Sequence, residues 1–311
     1  MLTMHMGLMC LIIATISASF SRMILLMICF SRHAAISTKI SNNEMKLAFH
    51  YGKYNIGGQL LNIIRRQVDV LILSIMLPIN ELGIYHVIKQ LAARPAEALQ
   101  PIVSKIAMPI FSERKNTLNK LKHSYLDVLT TFSFALAFIY VPLIVLSEPI
   151  VFIVLGAKYL EHHVVLALLC CFWYIRIIGP TAMGALIQAT GNTKLTFYWN
   201  LALLPLSIII MFVASGFGIY SLCVALFLFQ LILLPLSNQL IVRKVVEINT
   251  KEQLFSALLI VPIFLIPLLF VKWASLLLDP ELNSYIITVA IAAVIQITVA
   301  LILYNKVPFF R

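Results

Sequence analysis

Apolar residues run through this chain in nine long blocks, separated by short polar connections. They cover roughly residues 7–30, 48–77, 82–110, 121–146, 164–190, 194–214, 218–242, 254–278 and 284–304. A helix needs about 20 such residues to cross a bilayer. A transmembrane β-barrel would show alternating segments of about 10 residues, and the sequence has none. The pattern predicts an all-α polytopic membrane protein with about nine transmembrane helices. The first block carries no Lys or Arg before Arg22. It is also longer than the apolar core of a secretory signal, so it is read as a first spanning helix. The stretch 147–163 is apolar in part and is expected to form a short re-entrant piece.

Composition supports this reading. The 311 residues are 61% hydrophobic and 11% charged, against about 25% charged in a soluble domain. Mean hydropathy is +0.99. A cytosolic globular enzyme and a disordered chain are both excluded. The formal charge of +11 would suggest a nucleic-acid partner in a soluble protein. Here it follows topology instead. The odd-numbered connections and the C-terminal tail hold 13 Lys or Arg, and the even-numbered ones hold only Lys158. Retention of positive charge in the cytoplasm places the odd connections and the C-terminus inside and the N-terminus outside. The five cysteines lie in apolar runs without CxxC spacing, so neither disulfides nor a metal site is expected.

The second and third blocks break the apolar rule. At about 100° per residue, Asn55, Gln59, Asn62, Arg66 and Asp69 share one arc of the second helix. Arg65 lies at its edge, one helical turn from Asp69, and Lys53 precedes it. On the third helix His86, Lys89, Gln90, Glu97, Gln100 and Ser104 share a face, with Arg94 beside it. Pro95 and Pro101 are expected to bend this helix. Counting Lys53, Arg65, Arg66, Lys89, Arg94 and Lys105 against Asp69 and Glu97 leaves a surplus of four positive charges. Each cation near the bilayer centre costs at least about 2.5–3.5 kcal/mol. The stripe must therefore face protein or water. Two readings follow: a structural salt-bridge cluster, or a hydrated cavity for an anionic passenger. Two acids cannot neutralise six bases, which favours the cavity. Arg176 in the fifth block is a further candidate.

No catalytic signature is present. There is no GxSxG, HExxH or phosphate loop, and no cofactor is indicated. His162-His163 reads as a solvated loop pair rather than a metal site. Lys272-Trp273 reads as an interfacial anchor.

The segment YGKYNIGGQLLNIIRRQVDVLILSIMLPINELGIYHVIKQLAARP, from Tyr51, resembles the polysaccharide flippases, the Wzx-like exporters of the MOP superfamily. MPIFSER at 108–114, EPIVFIVLGAKY at 148–159, ATGNTKL at 189–195 and GFGIYSL at 216–222 follow in the family's order. The resemblance covers roughly residues 40–250. It implies a MATE-like fold of two six-helix bundles that rock around a central cationic cavity. It further implies a bacterial inner-membrane transporter, not an enzyme, that flips oligosaccharide on undecaprenyl pyrophosphate for O-antigen or exopolysaccharide synthesis. Coupling to H+ or Na+ and contact with membrane lipids belong to the same expectation, and no nucleic acid does.

On that alignment residues 1–46 are a remnant of the first bundle, 47–246 are the second six-helix bundle, and 247–311 are two extra C-terminal helices. The family's first five helices would then be lacking. A partner chain or self-association would have to supply the missing lobe. The rival readings are a non-transporting truncated remnant and an exporter of another lipid-linked or drug-like substrate. An envelope polymerase would need catalytic groups on long outer loops, which are absent here.

Overall fold

The computed structural model describes residues 7–30, 41–275 and 282–304. Arg32, Lys39, Lys306 and Arg311, four of the 13 cations counted for orientation, lie outside them. Among the described residues there is no β-strand. The helices are α1 (Gly7–Phe30), α2 (Asn42–Met76), α3 (Ile79–Arg114), α4 (Leu118–Val145), α5 (Ser147–Leu155), α6 (His163–Thr190), α7 (Thr193–Ser215), α8 (Ile219–Ser237), α9 (Arg243–Val246), α10 (Thr250–Leu258), α11 (Val261–Ser275) and α12 (Leu282–Tyr304). A 3₁₀ turn, Ala157–His162, follows α5, and a π-helical turn, Asn238–Val242, joins α8 to α9.

The chain is a multi-pass membrane protein. Six helical stretches are long and apolar enough to cross a bilayer: Leu118–Val145, Ala157–Thr190, Thr193–Ser215, Ile219–Val246, Thr250–Ser275 and Asn283–Leu303. The three further expected spans are also helical. Helices α2 and α3 have 35 and 36 residues, and it is their charges that set them apart. The described apolar part of α1 is shorter, Ile13–Leu25. The expected eighth segment is divided into α10 and α11, with Pro262 at the start of the second piece. A proline is tolerated there because the first turn of a helix leaves its N–H groups without partners. The apolar stretch after α4 folds as α5 and the 3₁₀ turn. Gly156 ends α5 at φ 92°, a backbone region that glycine enters freely.

The chain divides into two compact units, residues 1–50 and 51–311. The first holds α1 and the opening of α2. The second is organised around α6, whose residues Phe172–Gly179 are all buried. Helices α3, α4 and α8 pack against it. The side of α3 that is buried there carries Ala92, Ala93, Ala96 and Ala107. Such small residues allow close helix packing in membranes. Gly179 allows the same for α8, since a Cβ there would lie 2.6 Å from Leu234 Cδ1. Tyrosines tie the bundle through polar tips: Tyr140 donates to the Ala92 carbonyl at 2.8 Å and Tyr174 to the Ala257 carbonyl at 3.2 Å.

Candidate functional site

Within the second unit, five helices enclose a cavity of about 720 Å³. Its wall comes from the middle of α2, the second halves of α3, α6 and α8, and the first half of α7. By the alternation of the chain, these are the ends joined by the basic connections. At or beside those connections lie Arg114, Lys115, Lys120 and Lys122, from the end of α3 to the start of α4, Lys194 in the first turn of α7, and Arg243, Lys244 and Lys251 in α9 and the first turn of α10.

The polar arc of α2 supplies Asn55, Gln59, Asn62, Arg65 and Arg66 to this wall. Gln59 donates to Asn55 at 3.3 Å. Gly57 and Gly58 bring α7 close: a Cβ on Gly57 would meet the Phe197 ring at 2.8 Å, and Asn200 donates to the Gly58 carbonyl at 3.3 Å. Helix α3 adds Gln100, Ser104, Lys105 and Ser112.

The two polar stripes meet. Arg66 Nη2 donates to Gln100 Oε1 at 2.6 Å. Lys89 Nζ lies 2.7 Å from Asp69 Oδ1 and 3.1 Å from the Arg66 carbonyl. Tyr85 donates to Asp69 Oδ2 at 2.6 Å. Asp69 is thus held by α3, and the one-turn pairing with Arg65 does not form. Asp69 and Lys89 make a buried pair apart from the cavity wall. Lys53 is exposed and sits 5.0 Å from the Tyr54 ring. His86 and Gln90 bond to each other on the exposed face of α3, at 2.8 Å. Arg94 and Glu97 are exposed on the same helix, also away from the cavity.

Arg176 is buried beneath the wall. Its guanidinium lies 5.4 Å from the Phe172 ring and 5.6 Å from Trp173, while Arg66 approaches Trp173 from 5.9 Å. Arg65, Arg66 and Arg176 are close enough to repel one another. Together with Lys89 and Asp69 they form a cluster of net charge +3.

The side chain of Arg65 is 7% exposed, and its Nε and Nη1 have no partner. Neither do Arg66 Nε, Arg176 Nη2 or Trp173 Nε1. These are buried donors without acceptors, each a loss of hydrogen bonding to water. No Asp or Glu lines the cavity. Donors in excess, cations in excess and no acid are the chemistry that suits a multivalent oxyanion. Guanidinium forks match phosphoryl oxygens two at a time.

Known proteins bear on this site. The family described as polysaccharide biosynthesis protein matches residues 1–164, just over half of the chain. The chain belongs to that family. This family member is 29% identical to the amylovoran biosynthesis protein AmsL of Erwinia amylovora over 170 residues, 55% of this chain and 43% of that protein. It is 25% identical to the teichuronic acid biosynthesis protein TuaB of Bacillus subtilis over 175 residues, 56% of this chain and 36% of that one. It is 24% identical to the lipopolysaccharide biosynthesis protein WzxC of Escherichia coli over 150 residues, 48% of this chain and 30% of that one. The family member thus spans less than half the length of these curated relatives. No solved structure matches it significantly. The matched region carries the α2–α3 side of the cavity. Gln188, Asn200 and Gln230, which complete the wall, lie beyond it. Asn200 and Gln230 are the single carboxamides of α7 and α8, a signal that helical-face arguments pass over.

Proposed function

We propose that this chain takes part in flipping oligosaccharide linked to undecaprenyl pyrophosphate across the bacterial inner membrane, for surface polysaccharide synthesis. The pyrophosphate occupies the arginine end of the cavity. Arg65 and Arg66 hold it directly, Lys105 lies on the same wall, and Arg176 adds its field from below. The observation that carries this reading is the Arg65 guanidinium, buried and without a hydrogen-bond partner, beside a cavity that no acid lines. Membership of the polysaccharide biosynthesis family supports the saccharide half of the proposal.

An exporter of drug cations would place acids in the wall, where this chain has three cations and none. A coupling ion, H+ or Na+, and a partner chain or second copy facing the cavity belong to the same proposal. In this reading the cavity opens on the cytoplasmic half, where the lipid-linked unit is assembled. The test is surface polysaccharide in cells that depend on this gene. Arg66→Ala is expected to insert at the normal level and to abolish export. Normal surface polysaccharide in that variant overturns the role of the arginine.

A further inference from the structure

The cavity wall is not only cationic. Seven carboxamide side chains line it, drawn from five helices, alongside three cations and no acid. Several are already engaged: Gln59 with Asn55, Gln100 with Arg66, and Asn200 with the Gly58 carbonyl. Asn62 on α2, Gln188 on α6 and Gln230 on α8 are different, because no hydrogen bond of their amide groups joins them to the rest of the described protein. Gln230 is buried, at 3% exposed, and Asn62 and Gln188 are half-buried beside the same cavity. Amides shielded from bulk water are normally bonded within the protein, so three that converge on one cavity without a protein partner point to a ligand.

The type of group is informative. An oxyanion accepts hydrogen bonds and has no use for an amide oxygen. A carboxamide presents an acceptor and two donors in one plane. That matches a hydroxyl, which also gives and takes. Helices α6 and α8 place no cation in the wall, so their amides serve a part of the ligand that is neutral. Asn62 stands one turn before Arg65 and Arg66, which puts this neutral part next to the anion. The volume is within the range of about 300–1,000 Å³ that small-molecule sites occupy.

We infer that Asn62, Gln188 and Gln230 form a carboxamide shelf that binds the hydroxyls of the sugar attached directly to the phosphate, and so selects which glycan is accepted. This rests on the anion reading of the arginines. Trp199 also lines the cavity, and an indole suits the apolar side of a pyranose.

The test compares two soluble-chain probes by calorimetry, on the full chain in lipid nanodiscs: farnesyl pyrophosphate and glucosyl pyrophosphoryl farnesol. Three neutral hydrogen bonds, each about two- to tenfold in affinity, predict that the glucosyl probe binds at least about tenfold tighter. Gln188→Leu is expected to bring that ratio down about two- to tenfold. Asn62→Leu, on a different helix, gives the same result should the first variant fold poorly. Arg66→Ala lowers both affinities by one factor and keeps the ratio. Equal binding of the two probes by the unmodified chain overturns the shelf and leaves the anion site standing. A loss in Gln188→Leu and Asn62→Leu that is equal for both probes also overturns it. If neither probe binds the unmodified chain, the anion reading fails and the shelf fails with it.

Discussion

Asp69→Asn is expected to destabilise the bundle more than Lys89→Met does, although the two residues form one ion pair. The pair is 2.7 Å long, with side chains 8% and 12% exposed for Asp69 and Lys89. At an effective dielectric of about 20, charges at that distance attract by about 6 kcal/mol. Desolvation of both ions offsets most of that, yet removal of one partner from a buried pair still costs about 3–5 kcal/mol. The asymmetry comes from the neighbours. Asp69 also accepts from Tyr85 and acts on the charge of Arg176. Without Lys89 the carboxylate retains both. Without Asp69 the cluster holds Arg65, Arg66, Arg176 and Lys89 and no anion.

Asp69→Asn is therefore expected at the upper end, about 4–5 kcal/mol, and Lys89→Met at about 1–2 kcal/mol. The assay is SDS-driven unfolding in dodecyl maltoside micelles, followed by the fluorescence of Trp173, Trp199 and Trp273. The double variant completes a cycle, with a coupling energy on the order of 2 kcal/mol. Equal losses, or a larger loss for Lys89→Met, would refute the argument. They would mean that the three arginines are already neutralised by something other than Asp69.

Three further outcomes are expected in the same assay. Gly179→Ala places a methyl 2.6 Å from Leu234 Cδ1 and 3.6 Å from Gln253 Nε2; overpacking of this kind costs about 1–3 kcal/mol, and a loss below about 0.5 kcal/mol would show that α8 yields freely. Tyr140→Phe removes the bond to the Ala92 carbonyl between two buried residues and is expected to cost about 1 kcal/mol, with no loss if that bond is idle. Arg65→Met is expected to act in the opposite sense, stabilising the protein by about 1–2 kcal/mol while weakening farnesyl pyrophosphate binding at least about tenfold; a loss of stability would show that the guanidinium is well compensated where it stands.

How far the site was legible depends on which property is asked for. Periodicity placed Asn55, Gln59, Asn62, Arg66 and Asp69 on one arc of α2 with Arg65 at its edge, because a helical arc is a local property of the backbone; all but Asp69 line the cavity. It could not supply depth along the axis. His86, Gln90 and Glu97 share a face of α3 with Arg94 beside it, but they lie before the level of the cavity, which meets Gln100, Ser104, Lys105 and Ser112 further along the helix. Pairing was also beyond reach. The one-turn spacing favoured Arg65 for Asp69, yet Lys89 and Tyr85 reach the carboxylate from another helix. The apolar blocks forecast α4, α6, α7 and α12 closely. They did not forecast the break between α10 and α11, or the π-helical turn after α8, because hydropathy is blind to hydrogen-bond register.

The cluster of Arg65, Arg66 and Arg176 is costly by every physical measure. The three cations repel one another, they are removed from water, and five N–H-bearing nitrogens around them have no acceptor. A structural salt-bridge network would have recruited acids to the same place. The acids exist in this sequence, but Glu252 pairs with Lys122 at the α4–α10 contact, Glu148 accepts from Tyr285, and Asp69 is committed to Lys89 and Tyr85. None is aimed at the free donors of Arg65. The imbalance is thus specific to one place, the inner wall of a polar cavity. A buried cluster that destabilises the protein fits a ligand that brings the missing negative charge. Hence the two effects expected of Arg65→Met, greater stability and weaker anion binding, have a single cause.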